Sequence, residues 1–120
     1  MAVTPPRPEL QPMSLLSAHR ERLRRDRARL CGETRELLRE SLARHLPGIP
    51  VWVYGSLLDE SRFQPASDVD LAIERLPESL SLELLQSLLS REVGREVDVC
   101  LLDRTRLKPW IIARGQRWIG

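Results

Sequence analysis

Asp68-Val69-Asp70-Leu71-Ala72-Ile73 alternates with period two, which predicts a strand with Val69, Leu71 and Ile73 on one face and both aspartates on the other. A strand so divided needs an apolar cover on one side only, so the chain must build a sheet with one dressed face and one more open face. A second strand is predicted over Ile49–Tyr54, rich in β-branched and aromatic residues and closed by Gly55-Ser56. A third runs from Glu96 to Leu102, with Val97, Val99 and Leu101 on one face and Asp98 and Cys100 on the other.

The cover is predicted to be helical. Leu80, Leu84, Leu85, Leu88 and Leu89 recur at helical spacing between Ser79 and about Val93, and Gly94 is the natural stop. Beyond Pro109, the runs Trp110-Ile111-Ile112 and Trp118-Ile119 read as a short helix and a final edge strand. At 120 residues there is room for one core. The expected fold class is α+β: a small mixed sheet with helices packed on one face and the aspartates on the more open one.

The N-terminal part is of a different character. Residues 1–13 hold four prolines and are expected to be a disordered tail, followed by a helical extension over 14–33 and the domain proper over 34–120. Leu16, Leu23, Leu30 and Leu37 lie seven apart, but the intervening heptad positions are mostly polar, which disfavours a self-standing coiled coil. Gly32 is expected to divide the helical stretch, with Thr34 as N-cap of a second helix that turns Leu37, Leu38, Leu42 and Leu46 to the core.

Charge is uneven: residues 1–47 carry ten arginines against six acids, and residues 48–120 nine bases against eleven acids. The interleaved Glu21, Asp26, Glu33, Glu36 and Glu40 argue for a solvated helix face over a nucleic-acid patch. No apolar run reaches the roughly 18 to 20 residues of a membrane span, and the first thirteen residues lack the pattern of a signal peptide, so a cytoplasmic location is expected. Cys31 and Cys100 are expected as reduced thiols.

The aspartates carry the chemistry. Two carboxylates two apart on a strand project from one face with Cα atoms roughly 6.6 Å apart, and both can converge on one cation. Asp98 on a neighbouring strand would complete a set suited to magnesium and to nucleotidyl transfer, which needs metal, an oriented triphosphate and an aligned hydroxyl. A plain solvent face of a half-exposed strand accounts for the same spacing. Gly55-Ser56, at the turn from a strand into a helix, adds a place where a phosphate can approach the main chain, although an ordinary serine-capped turn reads alike.

Taken together, Tyr54-Gly55-Ser56, Ser67-Asp68-Val69-Asp70-Leu71-Ala72-Ile73 and Glu96-Val97-Asp98-Val99 resemble the minimal nucleotidyltransferases of the DNA polymerase beta superfamily, the MntA-like antitoxins encoded beside a HEPN-domain toxin. The likeness covers residues 34 to 119. It implies a polymerase-beta-like nucleotidyltransferase fold and a protein adenylyltransferase. Gly55 and Ser56 would hold triphosphate oxygens, Asp68 and Asp70 would bind Mg2+, and Asp98 would serve as base or third ligand. The implied partners are ATP and a HEPN-domain RNase toxin, which related antitoxins inactivate by adenylylating a tyrosine.

Two positions depart from that pattern: eleven residues separate Ser56 from Asp68 where ten are usual, and Leu58-Asp59-Glu60 stands where an Arg-Gly pair is common. Arg62 is the candidate for the missing positive charge. An antitoxin that keeps the fold and neutralises its toxin by binding alone is the alternative. Trp52 and Tyr54 are candidates to flank a nucleotide base or to pack beneath a helix, and Trp110 and Trp118 to lie at a partner interface or in the core.

Overall fold

A computed structural model describes residues 12–119, with side chains from Leu15 onward. The elements follow in the order α1 (Pro12–His45), β1 (Pro50–Tyr54), β2 (Val69–Ile73), α2 (Leu82–Val93), β3 (Val97–Leu101), α3 (Lys108–Arg114) and β4 (Gln116–Ile119). The strands form one sheet in the order β3-β2-β1-β4. β1 is antiparallel to both β2 and β4, whereas β2 and β3 are parallel, joined by the crossover through α2 that a parallel pair requires. The mixed α+β sheet expected from the alternating runs is therefore present, with β4 at its edge.

Period-two alternation sorts the side chains. Val51, Val53, Val69, Leu71, Ile73, Val97 and Trp118 form the inner face and are buried under Leu38, Leu42 and Leu46 of α1 and Leu85, Leu89 and Val93 of α2. The opposite face carries Trp52 and Tyr54 of β1, Asp70 and Ala72 of β2, and Asp98 and Cys100 of β3. At one end of it Ile111 of α3 packs on Ala72 and Leu102, with Trp52, Tyr54 and Cys100 around them. Asp98, at the other end, is exposed and Asp70 is half-buried.

α1 and α2 cover one face as expected, but α3 packs through Ile111 on the face that carries the aspartates, because Ala72, Trp52 and Tyr54 there leave an apolar patch to cover. α2 starts at Leu82 instead of Ser79, because the Ser81 side chain accepts from Leu84 N (3.1 Å) and sets the N-cap there. Gly94 ends it with φ 81°, a left-handed conformation that glycine adopts without steric cost. Leu84 faces outward. The two long helices are tied together at Glu92, which accepts from the Ser41 hydroxyl (2.9 Å) and pairs with Arg44 and His45.

α1 corrects the expectation for the N-terminal part. It runs through Gly32 without a break for 34 residues, a length of about 51 Å. A mid-helix glycine costs about 1 kcal/mol relative to alanine, and the contacts on both sides of it outweigh that. The Cys31 thiol donates to Leu57 O (3.2 Å), and Arg35 donates to the same carbonyl through Nε (3.0 Å) and Nη2 (2.7 Å). Thr34 is no N-cap; it is buried inside the helix and its hydroxyl donates back to Leu30 O (2.7 Å). Leu37 is 43% exposed, so the core-facing residues are Leu38, Leu42 and Leu46 without it. Pro12 and Met13 belong to the helix, with Pro12 at its start, where a missing N–H is harmless; residues 1–11 of the expected tail, and Gly120, lie outside the described residues. No helix among the described residues is long and apolar enough to cross a membrane.

Candidate active site

The register of the sheet brings the aspartates together. Asp70 stands directly opposite Asp98 across the parallel β2–β3 pair and opposite Tyr54 across the antiparallel β1–β2 pair. Tyr54, Asp70 and Asp98 thus form one row on the open face, with neighbouring backbones about 4.8 Å apart. Asp68 falls just before β2, exposed, two residues from Asp70 and so on the same side of the chain. Asp70 and Asp98 are thus neighbours at one end of one face, and Asp68 lies just outside the strand.

Gly55 and Ser56 reach the same place. After Tyr54 the chain turns into a short 3-10 helix, Gly55–Leu58, and Gly55 makes the turn at φ 81°. A Cβ at Gly55 would lie 2.8 Å from Asp70 Oδ2, so the main chain here rests on the Asp70 carboxylate. Only glycine meets both conditions. Ser56 follows with a hydroxyl that has no hydrogen-bond partner among the described residues.

Electrostatically the site is dominated by its carboxylates, with Arg95 close enough to feel the charge of Asp68. Burial, then the charges of Asp98 and Asp68, push the Asp70 carboxyl above the usual aspartate range. Among the described residues no ion pair or hydrogen bond engages Asp68, Asp70 or Asp98; the acids that are paired are Glu21, Asp26, Glu74, Glu92 and Asp103. Nor, among those residues, do any three His, Cys, Asp or Glu side chains stand together so that all three could hold one metal ion. Magnesium does not require one, since it is commonly held by one or two carboxylates with substrate phosphates and water completing the octahedron. Two opposed carboxylates stand with a third beside them, and of the nearby cations the Arg95 guanidinium feels the charge of Asp68.

Because the folded-state value of Asp70 lies above 3.8, ionising it costs the metal-free native state stability as pH rises through that window, and the cost vanishes below pH 3.8. Asp70→Asn in chelator is therefore expected to melt about 2–4 °C above the parent at pH 7, a gain kept small by solvent screening, and to lose that advantage at pH 3.5. Added magnesium should raise the parent and not the variant. Thermal melts across pH with and without metal check this; a variant no more stable than the parent at pH 7 would contradict the crowding.

The loop between Ser56 and Asp68 is tied down at several points. Leu57 and Phe63 are fully buried. The Arg95 guanidinium lies over the Phe63 ring, 4.6 Å from its centroid, and its Nη1 donates to Ser67 O (2.8 Å) and Gln64 O (3.2 Å). Arg95 thereby positions the residue next to Asp68. Asp59, one of the two acids that depart from the family pattern, accepts from the amide (3.0 Å) and hydroxyl (2.6 Å) of Ser61, and the hydroxyl hydrogen bond lowers its carboxyl from the usual value. It is used inside its own turn. Arg62 is exposed, and the charge it acts on is that of Asp59; no contact among the described residues joins it to the aspartates.

Sequence reading missed Arg95, Arg35 and Cys31, which hold the two ends of this loop. Nothing local marks them, because their partners are carbonyls more than twenty residues away. The aromatics divide. Trp118 belongs to the core, with Arg39 stacked at 3.9 Å, whereas Trp110 is exposed and meets Tyr54 edge-on at 6.1 Å. The Tyr54 hydroxyl lies 3.8 Å from Cys100 Sγ, and burial, then Cys100, drive its pKa far above the usual value. Both cysteines are free thiols.

No protein-family model matches the chain, and no curated protein matches it. Among solved structures it is similar to a chain described as "Crystal structure of the toxin-antitoxin with AMP-PNP", at a TM-score of 0.55 and 16% identity, over 71% of this chain and 73% of that one. At that identity the likeness is one of fold.

Proposed function

We propose that this protein is a magnesium-dependent nucleotidyltransferase that transfers AMP from ATP to a HEPN-domain RNase toxin and so acts as its antitoxin. The observation that carries the reading is the contact of Gly55 with Asp70, which is itself opposed to Asp98: a phosphate seated on the Gly55-Ser56 turn would share one spot with the carboxylates. The neighbouring fold is that of a toxin-antitoxin chain solved with an ATP analogue, which supports both the nucleotide and the class of partner.

Asp68 and Asp70 would hold magnesium; a bound magnesium withdraws charge from the phosphoryl group under attack. The Gly55 backbone and the Ser56 hydroxyl orient the triphosphate, with Arg62 the loop's candidate to add a positive charge. Asp98, exposed and directly opposite Asp70, accepts the proton of the incoming hydroxyl. The acceptor oxygen bonds to the α-phosphorus, the bond to the bridging oxygen breaks, and pyrophosphate leaves.

The departures Asp59 and Glu60 favour a second reading, an antitoxin that neutralises by binding alone. Intact-mass measurement of the toxin after incubation with substoichiometric antitoxin, ATP and magnesium separates the two. Transfer is expected to add the mass of AMP to most of the toxin and silence its RNase activity; an unmodified toxin silenced only at stoichiometric dose would overturn the transferase reading.

A further inference from the structure

The side of α1 that covers the sheet does not end where the sheet ends. Thr34, Leu38 and Ser41, on that side, are buried in the domain. Toward the N-terminus the same side continues as Leu30, Arg27, Leu23, Arg20 and Leu16, at the alternating three- and four-residue spacing that keeps residues on one helix face. Leu23 is 41% and Leu16 50% exposed. At the base of this arm the loop after Ser56 forms a second wall, and the two enclose an open cleft of about 360 Å³ lined by Arg20, Leu23, Arg24, Arg27, Glu60 and Ser61.

The charge on the arm says what would fit it. Residues 15–30 carry six arginines against two acids. Those two acids already pair along the helix, Glu21 with Arg24 and Arg25, and Asp26 with Arg29, so Arg20, Arg22 and Arg27 have no ion pair among the described residues. Arg20 and Arg27 are the two that alternate with the leucines. A second copy of the arm would bring like charges together. Glu60 is the one acid lining the cleft, against Arg20, Arg24 and Arg27; a nucleic acid would find leucines alternating with those arginines where its phosphates run.

We propose that the arm of α1 and the adjoining loop 57–67 form the docking surface for an acidic amphipathic segment of the partner protein, with apolar side chains against Leu16 and Leu23 and carboxylates on Arg20 and Arg27. The proposal rests on the partner being the acceptor toxin. It places docking on the loop whose two ends are Ser56 and Asp68, so the acceptor is held beside the site by residues outside it. Alternating apolar and charged contacts give both affinity and register.

The test uses the full-length protein and the purified HEPN-domain toxin, with ATP omitted so that binding is read apart from transfer. Calorimetric titration is expected to show Arg20→Glu/Arg27→Glu weakened at least ~30-fold and Leu23→Ser weakened in the same direction, with parent binding falling as salt rises. In the transfer assay the same variants should raise the KM for toxin and leave kcat unchanged, and circular dichroism should show parent-like melting. Variants that bind toxin as the parent does would overturn the proposal. So would a toxin that does not bind the parent, a 20-nucleotide single-stranded RNA bound by the parent and lost in the variants while toxin binding persists, or a parent dimer in light scattering that the variants abolish. Arm-dependent binding without AMP transfer would leave the docking surface standing and remove the transferase; transfer with arm-independent binding would do the reverse.

Discussion

Asp98→Asn is expected to slow single-turnover transfer of AMP to the toxin by at least ~10²-fold while leaving the fold and the affinity for Mg·ATP within a few-fold of the parent. An amide keeps the shape of the carboxylate but cannot accept a proton, and a positioned base is worth about 10² to 10⁴ in rate. Asp98 is exposed, so the exchange disturbs no packing. Asp70→Asn should slow transfer as severely for a different reason. Asp70 is the carboxylate beneath Gly55, between Tyr54 and Asp98; under the proposed function its loss would remove the group that joins metal to triphosphate. Mg·ATP affinity should therefore fall in Asp70→Asn and hold in Asp98→Asn. Equal retention of rate by Asp98→Asn would show that the base lies elsewhere.

Gly55→Ala is the second large effect. The position has φ 81°, where an L side chain is strained by about 1 to 3 kcal/mol, and the new methyl would meet Asp70 Oδ2 at 2.8 Å. Either the turn or the carboxylate has to move. The expected result is a protein that still folds, melts several degrees lower, and has lost Mg·ATP binding and transfer by ~10²-fold or more, since a misplacement of about 1 Å costs that much in an oriented reaction. Ser56→Ala, which removes one hydroxyl without strain, should lose far less. A Gly55→Ala protein with parent affinity for Mg·ATP would place the triphosphate away from this turn.

These two sites show what could be read from the sequence. The strand positions of Asp70 and Asp98 follow from period two alone, because in each run the apolar residues at odd positions demand a buried face and leave the aspartates on the other. That the two would be direct neighbours was not legible, because it depends on the register of the β2–β3 pair. Gly55 was legible as a turn; its contact with Asp70 was not, since it arises from pairing between β1 and β2. The helix break placed at Gly32 failed for a related reason. Local propensity favours it, but Cys31 and Arg35 grip Leu57 O from either side, and that carbonyl is more than twenty residues distant. Arg95 escaped notice because its partners, the Phe63 ring and the Ser67 carbonyl, belong to a loop with no periodicity to betray its packing. Leu37 and Leu84 were assigned to the core by spacing, yet each lies one residue from a leucine that is fully buried, and the helix turns only one of each pair inward.

The most direct measurement follows the α-phosphorus. Toxin incubated with this protein, magnesium and ATP labelled at the α or at the γ position should take up the α label only, with the γ label released as pyrophosphate and both signals absent from the Asp70→Asn reaction. Uptake of the γ label, or no uptake of either while the toxin is still neutralised at stoichiometric dose, would contradict nucleotidyl transfer at the aspartate row.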